Sequence, residues 1–100
     1  MEASLYLEVR TPDKEIFNGE IEQVILPGKD GSFGILKNHA PLIASLQKGK
    51  VSIDALNVST ISLTDNAETE KYDDDQKHFD FSIEGGVVEV LNNHVTVLLA

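Results

Sequence analysis

Apolar residues recur at every second position along most of this chain, and that period decides what it can fold into. Leu5, Leu7 and Val9 alternate with Tyr6, Glu8 and Arg10. Val51, Ile53 and Ala55 alternate with polar neighbours, and Phe79, Phe81 and Ile83 alternate with Asp80 and Ser82. Successive side chains of an extended strand point to opposite faces, so each such run buries one face and wets the other. An amphipathic helix needs apolar residues three and four apart, and that spacing does not dominate here.

Turn residues divide the alternating runs. Thr11-Pro12-Asp13-Lys14 predicts a turn, because proline presets φ at its second position. Glu15–Asn18 predicts a short strand closed by Gly19, and a third strand around Ile21, Val24 and Ile25 ends at Pro27-Gly28. A glycine-bounded loop, Gly28-Lys29-Asp30-Gly31, leads into a strand over Ser32–Leu36 with Phe33 and Ile35 on one face. Leu42–Leu46 is ambiguous by period but too short for a stable helix. Gln47-Lys48-Gly49 is a turn, and Val58–Leu63 is another strand-forming run. Glu84-Gly85-Gly86 bends the chain before two β-branched runs, Val87–Leu91 and Val95–Leu99. The Asn92-Asn93 pair between them suits a tight hairpin, since asparagine tolerates positive φ. The pattern predicts about ten short strands with turns every 8–12 residues, an all-β sandwich or flattened barrel. With 100 residues and no linker-like stretch, residues 1–100 are expected to form a single domain.

The charge balance excludes several functions. Net charge is −9, from 17 acids against 8 bases. Phosphate-backbone binding needs a basic surface, so no nucleic-acid partner is expected, and direct docking on anionic lipid is equally disfavoured. No window approaches the ~20 apolar residues of a membrane helix, so no direct lipid insertion is expected. Met1-Glu2-Ala3-Ser4 lacks the positive and apolar regions of a secretory signal. Asp65 to Asp80 carry seven acids against two lysines, five of the nine net negative charges. This run is expected to be a solvated hairpin tip. It lacks the glycine of a calcium loop and places Lys77 at a ligand position.

No catalytic set can be assembled. His39, His78 and His94 have no second histidine at zinc spacing, and there is no cysteine. A Gly-x-Ser-x-Gly elbow is missing, and the spacing of Gly28, Gly31 and Gly34 is neither a dinucleotide fingerprint nor a phosphate loop. Neither metal, nucleotide, other cofactor nor small-molecule ligand is expected, and the chain is expected not to be an enzyme.

Two stretches carry more information. The first runs from Val24 to Leu42 and contains Pro27-Gly28, the Gly28–Gly31 loop, Gly34-Ile35-Leu36 and His39-Ala40-Pro41-Leu42. The second holds Glu84-Gly85-Gly86-Val87-Val88-Glu89-Val90 and Asn93-His94-Val95-Thr96-Val97-Leu98. Together with Leu7-Glu8-Val9, Thr11-Pro12-Asp13 and Phe17-x-Gly19, they resemble the N-terminal β-sandwich domain of the epsilon subunit of F-type ATP synthases. Departures are Lys37-Asn38 where the family often has Pro-Gly, Ser32 where it often has an acid, and a longer, acidic 54–80 segment.

The resemblance implies a non-catalytic rotor subunit that binds the gamma subunit and the c-subunit ring and couples proton flow to ATP synthesis. It implies a peripheral place on the cytoplasmic face of the bacterial inner membrane. It assigns Gly28, Lys29, Asp30, Gly31, Ser32 and Phe33 to the c ring, and Thr11, His39, Ala40, Pro41, Leu42 and Ala44 to gamma. The family usually continues into two C-terminal helices that inhibit hydrolysis and in some members bind ATP. This sequence stops at Ala100, so neither role is expected of it. Two other readings compete: a glycan- or peptide-binding β-sandwich, which would need exposed aromatics, and a small enzyme. The chain has four Phe, two Tyr and no Trp, and Phe33, Phe79 and Phe81 fall on apolar faces.

Overall fold

The computed structural model describes residues 4–61, 68–71 and 77–100, and every described element is a strand. The strands are β1 (Leu5–Arg10), β2 (Glu15–Gly28), β3 (Gly31–Leu36), β4 (Leu42–Leu46), β5 (Gly49–Ile61), β6 (Glu68–Lys71), β7 (Lys77–Ile83), β8 (Gly86–Leu91) and β9 (His94–Leu99).

Among the described residues nine strands stand where about ten were expected, for two reasons. First, Gly19 does not end a strand. The register of β2 against β5 shifts at Asn18/Gly19, Glu20/Ile21 and Ile21/Gln23, so both strands bend through irregularities and continue. The two short strands expected on each side of Gly19 are therefore one strand of 14 residues, and those expected around Ala55 and Val58 are one of 13. Second, the acidic run is not all tip. Glu68–Lys71 form a strand antiparallel to β7, with Glu70 opposite His78 and Glu68 opposite Asp80. Residues 65–67 and 72–76 of the acidic run lie outside the described residues.

One layer is β1–β9–β8–β4 and the other is β3–β2–β5–β7–β6. The long β2 joins them. Its first half pairs with β1, from Ile21↔Leu5 to Phe17↔Val9, and at its far end Gly28 pairs with Leu46 of β4. The Gln47 N–H donates to the Pro27 carbonyl at 2.8 Å beside that contact. The circuit β1–β9–β8–β4–β2 thus closes, which gives the flattened barrel. Closure also removes most free sheet edges.

Inward residues of the two layers face each other. Leu7, Val9, Val88, Val90, Val95 and Val97 lie on one side, and Val24, Leu26, Ile35, Val51, Ile53, Phe79 and Phe81 on the other, all buried. Phe17 is fully buried and meets Phe79 edge-to-face at 5.9 Å. Burying one such side chain stabilises the fold by about 1.5–3 kcal/mol. Among the described residues no polar or charged side chain is buried, so this core is wholly apolar.

The Asn-Asn hairpin forms as the sequence predicts. Leu91 pairs with His94, and Asn92 and Asn93 take φ of 50° and 63°, the two positive values a two-residue type I′ turn requires.

Candidate partner-binding surfaces

The first surface is the β2–β3 hairpin. Gly28 pairs with Gly31, leaving Lys29 and Asp30 exposed at the tip. Gly31 has φ of 122°, a conformation that disfavours a side chain. Phe33 folds back so closely that a Cβ on Gly28 would lie 2.8 Å from its ring. The hairpin stands beside β4, and together they line a groove of about 520 Å³ whose remaining walls are Leu42, Ala44 and Ser45. The resemblance implied one partner for Gly28–Phe33 and another for Leu42 and Ala44; the structure brings them into one groove.

The second surface starts at the 37–41 corner. Asn38 takes φ of 67°, and its backbone N–H donates to Asn93 Oδ1 at 2.6 Å. The His39 N–H donates to the Leu36 carbonyl at 3.2 Å, and His39 Nδ1–H donates to the Ala40 carbonyl at 2.7 Å. His39 is half-buried, while Ala40 and Pro41 are exposed.

Thr11 sits elsewhere. Its hydroxyl oxygen accepts the N–H groups of Asp13 at 3.3 Å and Lys14 at 3.2 Å, which holds the predicted turn. In the parallel β1–β9 ladder Tyr6 pairs with His94 and Arg10 with Leu98. Thr11 therefore lies beyond one end of that ladder, and the corner tied to Asn93 lies at the other.

The outer face of β4–β8–β9–β1 stretches between them. Cross-strand partners share a face, so Ser45, Val87, Leu98 and Arg10 form one row, and Ile43, Glu89, Thr96 and Glu8 the next. Ile43 is 74% exposed, Leu98 50% and Val87 44%. Arg10 pairs with Glu8 at 3.2 Å, and the Tyr6 and His94 rings lie 5.3 Å apart. Ile43 was missed at the level of sequence. Period two supplied the signal: if Leu42 and Ala44 turn inward, the residue between them turns out.

No group of three or more His, Asp or Glu side chains among the described residues has the arrangement of a metal site. No helix among them is long and apolar enough to cross a membrane.

Residues 4–100 match the family described as ATP synthase, Delta/Epsilon chain, beta-sandwich domain. The chain belongs to this family. The ATP synthase epsilon chain of Chlorobium limicola is 41% identical over 92 residues, which are 92% of this chain and 84% of that one. The epsilon chain of Caulobacter vibrioides is 33% identical over 96 residues, 96% of this chain and 90% of that one.

Among solved structures, a chain of the Tetrahymena thermophila mitochondrial ATP synthase central stalk and c ring superposes with a TM-score of 0.68 at 20% identity, covering 98% of this chain and 64% of that one. A chain of the Euglena gracilis mitochondrial ATP synthase assembly of OSCP, F1 and c ring gives a TM-score of 0.70 at 17% identity, covering 99% and 52%. The chain spans less than two thirds of either neighbour, and at this identity the likeness is one of fold. For this member of the Delta/Epsilon family, the expected all-β sandwich and the expected ATP synthase membership both stand.

Proposed function

We propose that this chain is a central-stalk rotor subunit of an F-type ATP synthase, binding gamma and the c ring and transmitting torque without catalysing a reaction itself. The family match across residues 4–100 carries the assignment. The sandwich suits the task physically: a closed core, apolar throughout the described residues, resists bending, so work passes through it with little loss, and loops at its ends make the contacts.

Gamma is assigned to the outer face of β4–β8–β9–β1. That face is apolar at Ile43, Val87 and Leu98, and it runs from Thr11 to the His39–Pro41 corner, so one partner covering it reaches both. The c ring is assigned to the Gly28–Phe33 hairpin. Its tip is polar, and Ser32 offers a hydroxyl rather than a carboxylate, so hydrogen bonds rather than ion pairs are expected there. In this reading the subunit works in a proton-driven complex on the cytoplasmic face of a bacterial membrane.

The test uses Ser32→Cys in the assembled complex. Crosslinking to the polar loop of a c subunit, with gamma co-purifying, is the expected result. Crosslinks to stator subunits alone would reverse the orientation, and failure to bring gamma down would remove the rotor assignment.

A further inference from the structure

On the opposite layer, His78 of β7 stands between two carboxylates. Its Nδ1 lies 2.6 Å from Asp54 Oδ1 on β5, and its Nε2 lies 2.7 Å from Asp80 Oδ1 two residues along its own strand. A neutral imidazole carries one N–H and an imidazolium carries two. Only the protonated ring donates both bonds.

The carboxylates are themselves held. Gln23 Nε2 on β2 donates to Asp54 Oδ2 at 2.7 Å, and the Ser52 hydroxyl donates to Asp80. A single hydrogen-bonded line, Gln23–Asp54–His78–Asp80–Ser52, therefore crosses the three strands β2, β5 and β7 on their solvent side.

The neighbouring strands carry further charged residues close to this line in register or in sequence. Lys50 on β5 acts on Asp80. The β6 backbone register sets Glu70 opposite His78 and Glu68 opposite Asp80. On β2, Glu22 adjoins Gln23 in sequence. The His78 side chain is 16% exposed. Burial works against its charge, but the hydrogen bonds to Asp54 and Asp80 and the negative charge of both outweigh that and hold its pKa above the ordinary 6.5.

We propose that His78 is a pH-operated clasp: protonated, it fastens β7 and the β6–β7 ladder to β5, and deprotonated, it frees that edge of the sheet. Loss of the proton to water removes one of the two bonds and leaves the Asp54 carboxylate of β5 and the Asp80 carboxylate of β7 on either side of a neutral ring, so that like charges on the two strands repel instead of sharing a cation. The core side of β7 is untouched, because Phe79, Phe81 and Ile83 stay buried. The opening is thus local, confined to the solvent-side fastening of the β6–β7 ladder. Because the folded-state pKa is raised, this fastening is complete below the unfolded value of about 6.5 and is lost as pH rises through the folded value.

The experiment follows His78 ring resonances by NMR between pH 5 and 10. It also follows amide exchange along β6 and β7, corrected for intrinsic rates, in the unmodified chain and in His78→Gln. The ring is expected to titrate above 6.5, and the opening constant of β6–β7 is expected to rise several-fold over the same interval. Each unit of separation between folded and unfolded pKa corresponds to a change of about tenfold. His78→Gln is expected to show no such rise. Titration at or below 6.5, or the same rise in His78→Gln, would overturn the proposal. Should that variant not fold, Asp54→Asn serves instead: it is expected to lower the ring's titration point, and an unchanged titration would also overturn the clasp.

Discussion

Asn38 and Asn93 hold each other across the molecule. Asn93 Oδ1 accepts the backbone N–H of Asn38 at 2.6 Å, and Asn93 Nδ2 donates to Asn38 Oδ1 at 3.2 Å. The Asn93 carbonyl also accepts the Tyr6 N–H at 2.9 Å. Three segments remote in sequence therefore meet at the β8–β9 turn, and both asparagines adopt left-handed backbone conformations while they do so.

Asn93→Ala is expected to destabilise the fold by about 2 kcal/mol, the sum of a lost acceptor for the Asn38 N–H and a left-handed alanine. Asn93→Gly keeps the conformation and loses only the hydrogen bonds, so about 1 kcal/mol is expected. Denaturant unfolding of the two variants separates the contributions. Equal losses would mean that the backbone conformation costs nothing here.

Gly19→Ala is expected to cost about 3 kcal/mol or to prevent folding, since overpacking against a rigid neighbour is severe. Its Cβ would lie 2.5 Å from the Asn57 carbonyl oxygen and 2.9 Å from Val58 Cα, both backbone atoms that cannot swing away. Gly34→Ala is the control, because its nearest neighbour would be 3.9 Å distant. Thermal melts of both should differ sharply; similar melts would show that β5 yields at Asn57.

On the acid side, Asp80 is expected to contribute. Burial raises its pKa, but the hydrogen bonds from Ser52 and His78 and the charges of His78 and Lys50 bring it below the ordinary 3.8. A depressed carboxylate stabilises above its unfolded value and loses that contribution as pH falls through the folded one. Urea midpoints measured from pH 2 to 6 should therefore fall less steeply toward acid in Asp80→Asn than in the parent. Parallel curves would remove the assigned role.

Ile43→Asp addresses the proposed gamma face. The side chain is 74% exposed, so the melting temperature should hold, while affinity for gamma should fall about tenfold or more, ~1.4 kcal/mol. His39→Ala is expected to weaken binding less, because its Nδ1 proton is engaged with the Ala40 carbonyl. A lowered melting temperature with normal binding would make Ile43 structural.

Much of this molecule was legible in local pattern. Leu7, Val9, Val51, Ile53, Phe79 and Phe81 are buried where period two put them, and Asn92-Asn93 turn where their tolerance of positive φ put them. These features depend on a residue and its immediate neighbours, so the sequence determines them alone. The outward Ile43 was implied by the same alternation once β4 was known to be a strand.

The remainder depended on how strands lie against one another. Gly19 reads as a terminator and instead marks a close crossing over Asn57 and Val58, a contact that exists only when β5 is alongside. The acidic run reads as a solvated tip, yet part of it forms β6, because the edge of β7 offers unpaired backbone groups. Asp54 and His78 are 24 residues apart, and Asn38 and Asn93 are 55 apart. Alternation chooses which face a side chain takes, but not which residue stands opposite. Register is set by shifts along β2 and β5 and by closure of the barrel, and a slip of one residue would turn Asp54 inward. The sequence alone thus determined the core, the turns and the family. The tertiary structure decided the partners, because ladder pairing joins groups that no local spacing connects.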